Sequence, residues 1–172
     1  QLGSDIDGEA SAVSLSSDGK TVATGAPNND DNGSNSGDVR VYNFNGSAWT
    51  QSGFDIDGES ANDKSGGSVS LSADGTILAI GASGNDGNGS NSGHVRIYNY
   101  NGTIWSQLGA DIDGEAASDR SGYSVSLSSD GMTVAIGAGN NNGNGSRSGH
   151  VRVYNYNGTW TQLGSDIDGE AT

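Results

Sequence analysis

One unit of about 56 residues fills the chain three times, and that repetition restricts the fold more than any other feature. Val13-Ser-Leu-Ser16 returns as Val69-Ser-Leu-Ser72 and as Val125-Ser-Leu-Ser128, 56 positions further on each time. The rest of the unit keeps phase: Asp-Gly at 18, 74 and 130, Gly-Ala at 25, 81 and 137, Val-Arg at 39, 95 and 151, and Trp at 49, 105 and 160. A fold of this kind places nearly every polar residue in three equivalent surroundings. A reaction that needs one unique constellation is therefore not expected.

Each unit reads as strands. In the third, Gly122–Ser128 alternates Val125 and Leu127 with serines, the period of a strand with one buried face. Ser129-Asp-Gly131 supplies a tight turn into Thr133–Ala138. A polar loop over 139–148 leads to His150–Tyr156, where Val151 and Val153 share one face and Arg152, Tyr154 and Tyr156 the other. Asn157-Gly158 turns the chain once more, into Trp160–Leu163. No stretch carries helical periodicity. The expectation is an all-β chain of tandem four-stranded antiparallel blades of the β-propeller type, with small residues in the inner strands and Trp and Tyr toward the outer edge.

Only 31% of residues are hydrophobic and the net charge is -14, values close to those of disordered chains, but the strict placement of the apolar residues argues for order. Seven Lys and Arg cannot supply the basic stripe that phosphates require, so no nucleic-acid partner is expected. No apolar run approaches membrane-spanning length, so no membrane insertion is expected. With no cysteine, thiolate metal sites and thiol nucleophiles are excluded.

The motif Gly122-Tyr-Ser-Val-Ser-Leu-Ser, followed by Asp130-Gly and Val134-Ala-Ile-Gly-Ala138, with Gly25-Ala-Pro27 in unit one, resembles the FG-GAP repeat of integrin α-subunit propellers and of secreted repeat proteins. Tyr123 stands where that family usually has Phe, and Gly67 takes the position in unit two. The resemblance covers all three units. It implies propeller blades in an extracellular or cell-surface setting and an adhesive or structural role rather than an enzymatic one. Integrin-type blades often carry an Asp-x-Asp-x-Asp-Gly calcium loop between the first two strands. Here a bare Ser-Asp-Gly or Ala-Asp-Gly turn takes its place.

Asp-Ile-Asp-Gly-Glu occurs four times, from Asp5, Asp55, Asp111 and Asp166. Asp55, Asp57, Glu59 and Asp63, and likewise Asp111, Asp113, Glu115 and Asp119, place carboxylates at relative positions 1, 3, 5 and 9, a spacing that can converge on calcium. The other reading is a solvated turn between blades, with the Asp side chains capping backbone amides and Lys64 or Arg120 balancing them. Sequons at Asn32, Asn45, Asn88, Asn101, Asn144 and Asn157 are glycosylation candidates, although Asn-Gly at 45, 101 and 157 is also what a hairpin turn requires. His94 and His150 read as strand-edge residues rather than zinc ligands, being 56 positions apart. Arg40, Arg96 and Arg152 are expected to lie against Tyr42, Tyr98 and Tyr154 or to pair with acids. No hydrolase elbow, Walker loop or dinucleotide motif appears.

The expected units are blade 1 over 1–52, blade 2 over 53–108, blade 3 over 109–163, and the start of a next repeat over 164–172. Gln1–Ala10 recurs unchanged as Gln162–Ala171, so the chain reads as a section of a longer array. Unit one lacks six residues corresponding to Asn62-Asp-Lys-Ser-Gly-Gly67. Propellers close with about four to eight blades, so three leave the ring incomplete. The expectation is a non-enzymatic extracellular module that self-associates head-to-tail or continues into further repeats, as a larger propeller, array or filament. The alternative is a calcium-assisted binder of protein or carbohydrate.

Overall fold

The protein, described from a computed structural model over residues 3–6 and 10–170, is built from three antiparallel sheets with no helix among the described residues. Blade 1 comprises β1 (Ala12–Leu15), β2 (Thr21–Ala26), β3 (Asp38–Phe44) and β4 (Trp49–Gln51), with β5 (Ile56–Asp57) added to β3. Blade 2 repeats this with β6 (Ser65–Leu71), β7 (Ile77–Ala82), β8 (His94–Tyr100), β9 (Trp105–Gln107) and β10 (Ile112–Asp113). Blade 3 does so with β11 (Ser121–Leu127), β12 (Thr133–Ala138), β13 (His150–Tyr156), β14 (Trp160–Gln162) and β15 (Ile167–Asp168). The expected four-stranded meander is therefore present in each unit.

The first turn forms as its residues require. Asp18 accepts hydrogen bonds from Ser16 Oγ at 2.7 Å and from the Lys20 amide at 2.9 Å, closing the hairpin between β1 and β2. Those two donors favour the ionised carboxyl and hold Asp18 below the ordinary carboxylate range.

The Asp-Ile-Asp-Gly-Glu segment differs from the expected turn. Gln51 pairs with Tyr42 and Ile56 with Val39, so the outer strand of blade 1 is one strand broken by a two-residue bulge. The two extra residues place Ile56, rather than the exposed Phe54, opposite Val39 on the apolar face. Burying such a side chain is worth about 1.5–3 kcal/mol. In the third unit this element, β15, closes the outer edge of blade 3; the two residues after Glu170 lie outside the described part.

The core lies between blades rather than within them. On β3 the Val39 and Val41 face is buried while Arg40 and Tyr42 are half-buried; on β13 the pattern inverts, with His150, Arg152 and Tyr154 buried and Val151 and Val153 half-buried. On β8 the first five residues are all buried. The valine face of each blade thus meets the next blade, and the Arg/Tyr face meets the one before. Accordingly Val39, Val41 and Ile56 pack with Leu71, Ile80 and Tyr98 across the first seam, and blades 2 and 3 repeat the arrangement.

Both ends of the stack are open. Val13 and Leu15 of blade 1 are exposed where Val69 and Leu71 are buried. Ile56 and Ile112 are 7% and 5% exposed, and their counterpart Ile167 is 61% exposed.

Each seam depends on a glycine. A Cβ on Gly25 would lie 2.1 Å from the Gly66 carbonyl oxygen, and one on Gly81 would lie 2.1 Å from that of Gly122. Gly66 and Gly122, at φ +80, make the bulges in β6 and β11 that bring those carbonyls close. Gly137 of blade 3 would meet only its neighbour strand's Ser124. Gly25→Ala and Gly81→Ala should each cost about 2–3 kcal/mol in denaturant unfolding, and Gly137→Ala less than about 1 kcal/mol. Equal losses at all three would contradict the seam assignment.

Candidate functional site

The seams bring together the residues that the sequence scatters, so the candidate sites are built there. At the first seam the carbonyls of Ser34, Asn35 and Ser36 accept from the amides of Asn62 (2.8 Å), Lys64 (3.1 Å) and Ser65 (2.9 Å). The second seam repeats this, from Ser90, Asn91 and Ser92 to Ser118, Arg120 and Ser121. Asn62, Lys64, Ser118 and Arg120 all have φ between 56° and 71°, a region that non-glycine residues adopt at a cost. The seam bonds oppose that cost. The Trp of blades 2 and 3 then clamps the outer edge: Trp105 Nε1 donates to the Ser52 carbonyl at 2.9 Å and Trp160 Nε1 to that of Leu108 at 2.7 Å.

Beside each ladder lies a histidine with two carboxylates. Glu59, at the tail of blade 1, meets His94 and Asp111 of blade 2; Glu115, at the tail of blade 2, meets His150 and Asp166 of blade 3. The two imidazoles are 2% exposed. His94 Nδ1 is 3.7 Å from Asp111 Oδ2, and His150 Nδ1 is 3.5 Å from Asp166 Oδ2 and 3.8 Å from Glu115 Oε2. Arg96 Nη2 donates across the seam to the Asp57 carbonyl at 2.9 Å, while its Nη1 lies 3.4 Å from Glu59. Arg152 does the same toward Asp113 and Glu115.

Blade 1 carries Asp38 at the histidine position, and the arginine behaves differently. Arg40 Nε reaches Asp55 at 2.9 Å and Asp38 at 3.1 Å, and the guanidinium is the local cation. In blades 2 and 3 the Nε atoms of Arg96 and Arg152 are buried without an acceptor.

The carboxylates proposed from spacing do not gather into one loop site. Asp63 Oδ2 accepts from the Ser60 amide and from Asn85 Nδ2, and Asp119 Oδ2 from the Ala116 amide and Asn141 Nδ2. Both carboxylates are buried turn caps. Asp55 is held by Arg40 and Gln51, and Asp111 by Gln107. Asp57 and Asp113 sit exposed on β5 and β10, where partial burial and the neighbouring Asp55 and Asp31 raise the Asp57 carboxyl above its ordinary value. Only Glu59, Glu115 and Asp111 of the eight enter the histidine clusters.

The sequons divide into two groups. Asn32, Asn88 and Asn144 donate Nδ2 to the carbonyls of Gly58, Gly114 and Gly169, pinning each long loop to the tail of its own outer strand. At the hairpins, Asn45 and Asn101 accept through Oδ1 from amides two and three residues on. Arg96 and Arg152 stack over Tyr98 and Tyr154 at 5.7 and 5.6 Å, as expected, but both are buried and offer no open platform.

The spacing of the two histidines does not disclose the clusters, because each cluster draws its acids from Asp-Ile-Asp-Gly-Glu segments of two blades. The usable signal was that His94 and His150 share phase with an Asp-Ile-Asp-Gly-Glu segment on either side.

Burial first, and then the Arg96 guanidinium, lower the His94 pKa from 6.5, against the pull of Asp111, Glu59 and Asp63. A depressed imidazole is neutral in the folded chain while the unfolded chain takes up a proton below 6.5, so stability falls as pH drops through that value. Asp38 and Asp57, whose carboxyls are raised, act oppositely in the carboxylate range. The urea midpoint should fall between pH 7.5 and 6, with a slope of at most about 1.4 kcal/mol per pH unit for one proton. His94→Gln should flatten it; an unchanged slope would refute the assignment.

The FG-GAP repeat family model matches residues 56–98 and 110–154, just over half of the chain. No curated protein matches it significantly in sequence. Among solved structures, a protein from Bacteroides uniformis described as a 6-phosphogluconolactonase is similar with a TM-score of 0.61 at 16% identity, over 96% of this chain and 43% of that one. The hydrazine synthase of Kuenenia stuttgartiensis is similar with a TM-score of 0.55 at 13% identity, over 99% of this chain and 40% of that one. The chain thus spans less than half the length of these structures, and at such identities the likeness concerns the fold alone.

Proposed function

Because the chain belongs to the FG-GAP repeat family, we propose that it is a structural and adhesive section of an extracellular or cell-surface array, completed by further blades docking on its open faces. FG-GAP repeats form propeller-like binding or structural modules, are typical of extracellular or surface proteins and are generally non-enzymatic. No helix of the described residues is long and apolar enough to cross a membrane.

The open face of blade 3 carries the proposal. Ser146, Arg147 and Ser148 stand where Ser34–Ser36 and Ser90–Ser92 accept the seam ladder, and among the described residues no amide answers them. Gly137 is uncovered and Ile167 is exposed. The two internal seams specify the missing piece: an Asp-Lys-Ser-Gly or Asp-Arg-Ser-Gly segment followed by a β6-like strand. Blade 1 of a second copy lacks those six residues, so head-to-tail joining of identical chains would leave the ladder unmade. A further full-length repeat supplies it. Calcium-assisted ligand binding has less support, since Arg40, Gln51 and Asn85 already engage the loop carboxylates.

Appending a copy of residues 116–170 after Glu170 should raise the unfolding temperature by several degrees, the contribution of one added seam. The same extension without its Asp-Arg-Ser-Gly segment should give little gain. Equal stabilisation by both extensions, or by neither, would sink the proposal. In a eukaryotic secretory host, peptide mass spectrometry should find glycan at Asn45, Asn101 and Asn157 in preference to the loop asparagines, whose Nδ2 atoms are engaged; the reverse order would contradict this.

A further inference from the structure

We propose that each seam binds one divalent transition-metal ion of the zinc class, held by Glu59, His94 and Asp111 at the first and by Glu115, His150 and Asp166 at the second.

The distances carry the first part of the argument. Hydrogen bonds from imidazole to carboxylate run at about 2.7–3.2 Å, and the 3.5–3.8 Å separations at these histidines lie beyond that range. Ligand atoms 2.0–2.2 Å from a tetrahedral centre lie about 3.3–3.6 Å from one another. His150 Nδ1 is therefore too far from its carboxylates to bond them and close to the spacing of atoms that share an ion. The three candidate donor atoms of each cluster lie within 4.8 Å of one another, so a small rotation of the half-exposed glutamate completes the set.

Orientation carries the second part. In three of the four carboxylates one oxygen is held by a neighbour and the other is turned toward the imidazole. Gln107 and Gln162 donate to Oδ1 of Asp111 and Asp166, leaving Oδ2 toward the histidine. Arg152 lies against Oε1 of Glu115, leaving Oε2 toward His150. Outer neighbours that fix metal ligands work in this way. Two carboxylates beside one guanidinium keep a net negative charge, which a divalent ion neutralises.

Blade 1, which no described blade precedes, is arranged differently at this position. With Asp38 in place of histidine, Arg40 itself takes up both Asp38 and Asp55. An imidazole with two carboxylates suits zinc and its neighbours, whereas calcium prefers six to eight oxygens. With Glu supplied by one blade and His and Asp by the next, the ion would fasten consecutive blades together.

The 172-residue chain, stripped with a chelator and dialysed, is titrated with Zn²⁺; bound metal is counted after gel filtration, with Co²⁺ as a spectroscopic probe. Two ions per chain are expected, one in His94→Gln and none in the double variant with His150→Gln, with circular dichroism preserved. If the histidine variants fail to fold, Glu59→Gln with Glu115→Gln, at half-exposed positions, should still weaken binding at least tenfold. No saturable binding at micromolar zinc, a stoichiometry unchanged by these substitutions, or displacement by equimolar Ca²⁺ would overturn the proposal.

Discussion

Backbone packs on backbone wherever two blades meet, and the rest of the molecule follows from that contact. Gly25 rests on the Gly66 carbonyl and Gly81 on that of Gly122, with no space for a side chain between them. Only at this separation can the three seam amides reach the long-loop carbonyls, and only then do the indoles of Trp105 and Trp160 reach the outer-strand carbonyl of the preceding blade. The low apolar content becomes intelligible on this basis. Much of the joint is hydrogen-bonded main chain, and valine, isoleucine and leucine are needed only along the valine face and its mate. A polar, glycine-rich sequence can order itself if its glycines stand where neighbouring units touch.

Repetition is close but not complete, and the differences matter most where charge is buried. At one strand position the chain has Asp38, then His94, then His150. With aspartate, the following arginine turns back to its own blade and compensates two carboxylates. With histidine, the arginine is left to reach the preceding blade through its terminal nitrogens, and the carboxylate of the Asp-Ile-Asp-Gly-Glu segment faces the imidazole. The aspartate strand thus has its arginine paired within its own blade, while the two histidine strands carry clusters of metal-ligand type that straddle the seams.

Much of the blade was legible in the sequence because it depends on local rules. Alternation in Val-Ser-Leu-Ser gave the inner strand, Asp-Gly and Asn-Gly gave the hairpins, and the fourfold element count gave the blade. The seam was not legible, since it depends on register between units 56 residues apart. Ile56 looked like part of an acidic turn and is a core residue. Asp63 and Asp119 read either as calcium ligands or as caps of backbone amides in a turn; each does cap its turn, and each also holds an asparagine of the long loop, which the sequence does not show. The sequon at Asn32 looked like a surface signal, and its amide pins a loop. What the sequence leaves out in each case is a partner from a distant part of the chain.

Native-state hydrogen exchange at the amides of Ser65 and Ser121 tests the central claim most directly, because both donate across seams rather than within sheets. If the blades form one hydrogen-bonded stack, these amides exchange as slowly as those in the middle of β7 and β12, through the same global opening. Exchange at the rate of the loop amides around Gly46 and Gly102, with the strand centres still protected, would show that the seam ladder does not hold the blades together.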